Sequence, residues 1–500
     1  MSIISISHMS FAYPGNPDDV FTDVSMEIDT DWKCALIGRN GRGKTTLLNI
    51  LNGSLEYTGR IVSSVEFDVF PPSCVPNGVN ALEVALNCVA YDDTDVNVEA
   101  LLRAECGKLG MKLETLEQTY DTLSGGERTK LHIAALFLRK KLLYDMFLLI
   151  DEPTNHLDAD GIESLINYLS RQKGFLLVTH DRNLIDSVCG HIVSINKETI
   201  DVIQGNYSAW REMRERDELE QTRKNERLTK DIARLNEAAK RNAEWSDKIE
   251  ASKIGTHSFD RGFVGKNAKL MMQKSKAIET RIQGQIEEKE GLLQDIDVNS
   301  PLLITPLAHP KNRLIEMIDA TVNYGKGDLF RPITEGIYRK ERIALTGENG
   351  TGKSSLLKLI IGEDIPHTGN IIIASNMIIS YVPQETAGIH GTPKEYGQNA
   401  GVDLTRYMTI LRKFGFPREQ LFKPLEQSSE GQKKKALLAM SLASSAHLYI
   451  WDEPLNYIDI LSREQIEDVI LLCEPTMIFV DHDRRFAETV STREIRLMKN

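Results

Sequence analysis

Short apolar runs that stop abruptly at glycine, aspartate or histidine punctuate the first two hundred residues. Cys34–Ile37 ends at Gly38, Phe147–Ile150 ends at Asp151, and Leu176–Val178 runs into Thr179-His180. Runs this short and this apolar read as buried strands. After Gly43 the spacing changes: in TLLNIL (46–51) the apolar positions recur at helical period, so strand, glycine-rich loop and helix follow one another. The same pattern then returns. GRNGRGKTT at 38–46 reappears as GENGTGKSS at 347–355, FLLIDEPTNHLD at 147–158 as LYIWDEPLNYID at 448–459, and LLVTHDR at 176–182 as MIFVDHDR at 477–484. The separations are 309 residues for Lys44 and Lys353, 301 for Glu152 and Glu453, and 302 for His180 and His482. Three motifs in one order at nearly one offset mark a duplicated α/β domain.

Between the copies the pattern is different. From about Trp210 to Asp297 the chain is rich in Glu, Lys, Arg, Ala and Gln, lacks proline, and places Leu228, Ile232, Leu235 and Ala239 at helical spacing. Three glycines interrupt it within 253–266. Two long helices folding back on each other are expected, the first (210–253) extending ~66 Å at 1.5 Å per residue. The domains are therefore 1–208, a helical linker over 209–300 with its tip near 253–267, and 301–500.

Composition narrows the class. No stretch approaches the ~20 apolar residues that cross a bilayer, and the first residues do not read as a signal peptide. Six cysteines (Cys34, Cys74, Cys88, Cys106, Cys189, Cys473) form no CxxC pair, which fits reduced thiols in a cytoplasmic protein and offers no metal cage. A net charge of −12 argues against indiscriminate coating of nucleic acid, so any such contact needs a local basic patch.

The repeated motifs carry phosphate chemistry. Gly38-x-Asn40-Gly41-x-Gly43-Lys44-Thr45-Thr46 sits between strand and helix, the context a Walker A loop requires. Its glycines let backbone N–H groups wrap phosphate at a helix N-terminus. Lys44 should reach the β- and γ-phosphates of ATP and Thr45 should ligate Mg²⁺. Gly347, Asn349, Gly350, Gly352, Lys353, Ser354 and Ser355 repeat the arrangement. Asp151 and Asp452 end apolar strands and are candidate Mg²⁺ carboxylates, with Glu152 and Glu453 next to them to polarise water. His180 and His482 end further strands, placed for a γ-phosphate contact. Tyr13 and Tyr324, 31 and 29 residues before the lysines, can stack on adenine or pack in the core. Ser124, Gly125 and Gly126 open a helix and can approach phosphate closely.

LSGGE at 123–127 beside these motifs resembles the ABC ATPases, in which the signature of one copy closes over the Walker A loop of the other. The resemblance implies two ATP sites within one monomer by intramolecular pairing of its cassettes. The copies differ. Ser429 is followed by Glu430 and Gly431 where copy one has two glycines, and Gln384 of copy two, a ligand of ATP and Mg²⁺ by the resemblance, aligns with Pro72. A glutamate near the γ-phosphate at ~4 Å and an effective dielectric of ~20 would cost roughly 4 kcal/mol per charge pair. Both departures fall in the Lys44/Ser429 site, which is expected to turn over more slowly than the Lys353/Ser124 site.

Two cassettes without membrane segments, DEPTNHLD in copy one and a helical linker between the domains resemble the ABC-F translation-associated ATPases. The lysine-to-signature spacings of 80 and 76 residues leave no room for an extra arm in copy one. WDEPLNYID, SEGQKKK and AAKRNAEWSDK are similar to Lsa-type resistance members. That likeness implies a factor on the 70S ribosome, beside 23S rRNA and the P-site tRNA, protecting it from lincosamides, streptogramin A and pleuromutilins. A housekeeping translation factor is the alternative, and a drug exporter's ATPase a more distant one. The tip carries Lys253, Phe259, Arg261, Phe263 and Lys266, with a net of +5 over 253–276, a mixture that suits exposed RNA or a solvated hairpin end.

Overall fold

The computed structural model describes residues 2–14, 19–72, 79–91, 96–143, 145–155, 157–196, 199–252, 278, 280–282, 302–325, 327–348, 350–416 and 418–499. The chain divides into two compact units: Met1–Ser208 with Ser300–Asn500, and Ala209–Asn299. Both cassettes therefore belong to one unit.

The strands of cassette one are β1 (Ile3–Phe11), β2 (Phe21–Asp29), β3 (Lys33–Ile37), β4 (Thr58–Val62), β5 (Glu66–Phe70), β6 (Met146–Asp151), β7 (Phe175–Val178), β8 (His191–Ile195) and β9 (Ile200–Gln204). The main sheet runs β5-β6-β7-β3-β8-β9, parallel apart from the β8–β9 edge. Its central strands bury both faces, which is why they read as unbroken apolar runs. A second, antiparallel sheet, β2-β1-β4, shows period-two burial instead. In β1 the inward set is Ile4, Ile6, Met9 and Phe11, and the change of parity is absorbed by a register shift around His8 (φ 51°).

The helices of cassette one are α1 (Lys44–Leu51), α2 (Ala81–Val89), α3 (Val98–Lys108), α4 (Gly125–Leu143), α5 (Ala159–Leu169) and α6 (Arg182–Val188). The first two sheets and α1 share one core, with Leu36, Leu47, Phe147, Leu149 and Leu176 at its centre.

The helix α7 (Tyr207–Ser252) then runs for 46 residues, ~69 Å, three residues earlier than the periodicity indicates. The early start has a local cause: Ser208 donates from its backbone N–H (2.9 Å) and its hydroxyl (2.7 Å) to Asp186. Farther along, Arg211–Glu215 and Arg241–Glu237 form i,i+4 pairs on an exposed shaft. Residues 278 and 280–282 are helical as well. Lys253, Phe259, Arg261, Phe263 and Lys266 lie outside the described residues.

Cassette two repeats the plan with β10 (Arg313–Val322), β11 (Ile333–Tyr338), β12 (Arg342–Thr346), β13 (His367–Ile373), β14 (Ile379–Val382), β15 (Leu448–Asp452), β16 (Met477–Val480) and β17 (Arg493–Arg496). Its sheets run β14-β15-β16-β12-β17, all parallel, and β11-β10-β13. The helices are α8 (Lys353–Ile360), α9 (Pro393–Asn399), α10 (Leu404–Lys413), α11 (Glu430–Ala443), α12 (Ile460–Cys473) and α13 (Arg484–Val490). Among the described residues no helix is long and apolar enough to cross a membrane. The five described cysteines are free.

Candidate functional site

In both cassettes the motif residues stand at the carboxyl ends of adjacent parallel strands, where open α/β sheets present their ligand crevice. The loop after β3 leads into α1, and the loop after β12 into α8. Gly43 (φ 93°) and Gly352 (φ 87°) occupy the N-cap positions in the left-handed region, and neither helix has a side-chain cap. A Cβ at Gly43 would lie 2.7 Å from Val20, so the turn needs glycine both for its backbone angle and for room. The first N–H groups of α1 and α8 are thereby left for an anion.

Lys44 donates to the Gly38 carbonyl (2.7 Å) and Asn40 Oδ1 (3.1 Å), and Lys353 to the carbonyls of Gly347 (2.7 Å) and Glu348 (2.9 Å). Burial lowers the pKa of both ammonium groups. Thr45 donates to Asp151 (3.1 Å) at the end of β6. In cassette two Asp452 is 1% exposed and neither of its carboxylate oxygens accepts a well-formed hydrogen bond. Buried anionic oxygens left bare in this way fit a hard divalent cation held with Ser354 and nucleotide phosphate. Burial accordingly pushes the Asp151 and Asp452 carboxyls up.

Glu152 (φ 49°) and Glu453 (φ 45°) both adopt left-handed backbone, an uncommon state for glutamate. Each is held there by a strand-like bond, Glu152 N–H to Val178 O and Glu453 N–H to Val480 O, both 2.8 Å. The twist turns each carboxylate to its histidine: His180 Nε2 lies 3.1 Å from Glu152 and His482 Nε2 lies 3.5 Å from Glu453. No periodicity announces this strain.

The two cassettes meet across one cavity of 1430 Å³. Of the residues expected to grip nucleotide or metal, Gly38, Gly347, Tyr324 and Asp452 do not face it, and Asn349 lies outside the described residues; the others line it. Gly38 and Gly347 act through their carbonyls on the lysines. The tyrosines behave alike: Tyr13 and Thr46 share a 2.9 Å hydroxyl hydrogen bond, and the Tyr324 hydroxyl donates to Ser355 (3.0 Å). Both residues stay substantially exposed, and the Tyr13 ring lies edge-on to Phe11 at 4.9 Å.

The cavity joins the P-loop of one cassette to the signature of the other. Asn40 Nδ2 donates to the Tyr457 carbonyl (2.8 Å) and the Asn40 N–H approaches Asp459 Oδ2 (3.4 Å). A Cβ at Gly431 would fall 2.9 Å from the Tyr457 carbonyl, which explains the glycine there. Behind it, Lys435 donates to Asp459 (2.8 Å) with both side chains buried. Burial works against the Asp459 carboxylate, but Lys435 and Lys44 hold it well below the usual range. Asp459, Lys435 and Tyr457 escaped the sequence reading; the recurring aspartate of NHLD and NYID was the available signal.

One expectation is corrected. Glu430 does not turn towards the cavity. Its carboxylate accepts from Thr386 Oγ1 and from Lys433 Nζ (2.9 Å) at an exposed position. Held by these partners, it is not among the residues that line the cavity, so the ~4 kcal/mol repulsion is not expected. The sites differ instead at the glutamates. Burial, with Asp151 beside it, pushes Glu152 up to about 8, and burial with the charge of Lys44 lowers His180. In cassette two burial opposes ionisation too, yet His482, Gln384 and Asn456 hold Glu453 below the usual carboxylate range and His482 is raised.

Comparison with known proteins agrees with this geometry. The ABC transporter family profile matches residues 21–155 and 330–456, more than half of the chain, and a second ABC transporter profile matches 193–262. The ribosome protection protein VmlR of Bacillus subtilis is 27% identical over 100% of this chain and 87% of its own length. The energy-dependent translational throttle protein EttA of Haemophilus influenzae is 26% identical over 95% of this chain and 88% of its own. Among solved structures, the archaeal ribosome recycling factor aABCE1, in complex with the stalk protein aP1, matches with a TM-score of 0.63 at 19% identity, covering 99% of this chain and 88% of that one.

Proposed function

We propose that the chain, which belongs to the ABC transporter family, is an ABC-F member by its likeness to VmlR and EttA and a cytoplasmic ribosome-binding factor which protects translation from inhibitors of the peptidyl-transferase centre. The observation that carries the nucleotide half of this reading is the shared cavity. Lys44, Ser429 and Gly431 line it together with Lys353, Ser124 and Gly125, which supports a single chain supplying both halves of two ATP sites.

Mg²⁺ bound with ATP would be held by Thr45 and Asp151 in one site and by Ser354, Asp452 and Gln384 in the other, where it would neutralise phosphate charge. Lys44 and Lys353 hold the phosphates. Glu453, whose carboxyl His482, Gln384 and Asn456 hold below the usual range, orients and deprotonates the attacking water, whereas burial and Asp151 disfavour the ionised form of Glu152. The Lys353/Ser124 site is therefore the faster one. ATP favours the paired cassettes through its greater affinity for that state, and loss of the γ-phosphate releases them.

The ribosomal half rests on the relatives, VmlR above all, and on a linker of the expected length whose basic, aromatic tip suits exposed RNA beside 23S rRNA and the P-site tRNA. Resistance to lincosamides, streptogramin A and pleuromutilins is the finer reading. The similarity to EttA favours a second one, a factor that tunes ordinary translation. Cosedimentation of the Glu152→Gln, Glu453→Gln protein with 70S ribosomes in ATP tests the shared part. Retention is expected, and a variant that binds ATP yet sediments free of ribosomes refutes it. Relief of drug-inhibited translation by the parent protein then separates protection from tuning.

A further inference from the structure

Lys434 is a buried cation that the ATPase chemistry above does not use. It is 1% exposed, near the start of α11, five residues after the signature serine. An ammonium has three hydrogens to place. Here they meet the backbone carbonyls of Pro383 (2.8 Å), Gln384 (3.2 Å) and Asp452 (3.3 Å). These carbonyls belong to two separate elements, the loop after β14 and the end of β15. Both elements also deliver the side chains that would face the metal.

The duplicated chain supplies its own comparison. At the matching place in cassette one, five residues after Ser124, stands Thr129, and the position matching Gln384 is Pro72. The long cation thus occurs in the cassette that has the glutamine and is missing from the one that lacks it. A threonine cannot span the distance from α4 to two loops.

On the ATP·Mg²⁺ reading of the cavity, we propose that Lys434 is a positioning residue for the metal site of cassette two, its ammonium tying the Gln384 and Asp452 carbonyls together so that their side chains stay at coordinating separation. The fold does not depend on it for joining α11 to the sheet. Ser441, farther along the helix, already accepts from Trp451 Nε1 (2.9 Å) on β15 and shares a 2.7 Å hydrogen bond with Ser380 on β14. Loss of Lys434 therefore loosens the carboxyl end of these strands while their middle remains stapled.

The test uses the full chain carrying Glu152→Gln and Glu453→Gln, loaded with ATP, with Mn²⁺ affinity read by electron paramagnetic resonance. The unaltered Lys44 site is the internal reference. Lys434→Thr copies the residue that cassette one already accommodates, Lys434→Met keeps length without donors, and Lys434→Gln restores two donors. Lys434→Thr and Lys434→Met are expected to weaken the cassette-two Mn²⁺ site by about 10- to 100-fold, as outer-shell changes do, with Lys434→Gln recovering part of the loss. ATP affinity measured in EDTA should stay at the parent value. If Lys434→Met fails to fold, Lys434→Thr decides. Parent-like Mn²⁺ affinity in Lys434→Thr, or an equal loss of metal-free ATP affinity, overturns the proposal. A parent protein that binds no ATP would instead sink the nucleotide reading beneath it.

Discussion

Replacing Arg182 with methionine should open the paired cassettes on one side. Arg182 begins α6 in cassette one and is 2% exposed. Its guanidinium donates to both carboxylate oxygens of Glu467 on α12, one at 2.9 Å, and lies 3.6 Å from Asp483. Arg463 completes the cluster, donating to Asp483 at 3.0 Å. Removing one partner from a buried pair leaves a desolvated charge and costs about 3–5 kcal/mol. Glu467 is buried in the paired state and would regain water if the cassettes part, so the cost falls on closure. At about 1.4 kcal/mol per tenfold, the closure equilibrium should shift by roughly two to four orders of magnitude. Arg484 occupies the matching place in cassette two, but its partner Glu163 is 3.7 Å away and both are exposed. An exposed pair of this kind is worth about 0–1 kcal/mol, so Arg484→Met should close nearly as the parent does. Energy transfer between dyes on the two cassettes, titrated with ATP in the Glu152→Gln, Glu453→Gln background, reads the equilibrium directly. Equal closure of Arg182→Met and parent, or equal losses in the Arg182 and Arg484 variants, would refute the reasoning.

Three further outcomes are expected. Glu453→Gln should abolish most single-turnover hydrolysis while Glu152→Gln removes the smaller part, and equal rates in the two proteins would contradict the electrostatic difference between the sites. Glu430→Gly should leave the hydrolysis rate close to the parent's, because its carboxylate is engaged with Thr386 and Lys433; a large acceleration would return it to the phosphate. His132 is held neutral by burial, its pKa lowered to about 4, with the Tyr120 hydroxyl 2.8 Å from Nε2. The unfolded chain takes up that proton first, so stability is present above about pH 6.5 and is lost as pH falls towards 4, by about 3 kcal/mol. Denaturant midpoints of His132→Gln should lack this component between pH 7 and 4.5, and parallel curves for variant and parent would dismiss it.

The apolar runs closed by Gly38, Asp151 and Thr179-His180 were enough to place parallel strands with their chemistry at the carboxyl ends, and the repeated motifs were enough to duplicate that domain. Both conclusions follow from short-range regularities: a strand buried on both faces must be apolar throughout, and a phosphate loop needs glycine at fixed intervals. What lay beyond the chain's local order was decided by packing. The direction of the Glu430 carboxylate, the left-handed twist at Glu152 and Glu453, and the pairing of Arg182 with Glu467 285 residues away depend on neighbours that no spacing reveals. So does ionisation. Glu152 and Glu453 sit in nearly identical strings of residues, yet burial beside Asp151 raises the pKa of one while His482, Gln384 and Asn456 lower that of the other against burial. A carboxyl's charge is set by the solvent and dipoles around it, and only the folded cassettes supply those.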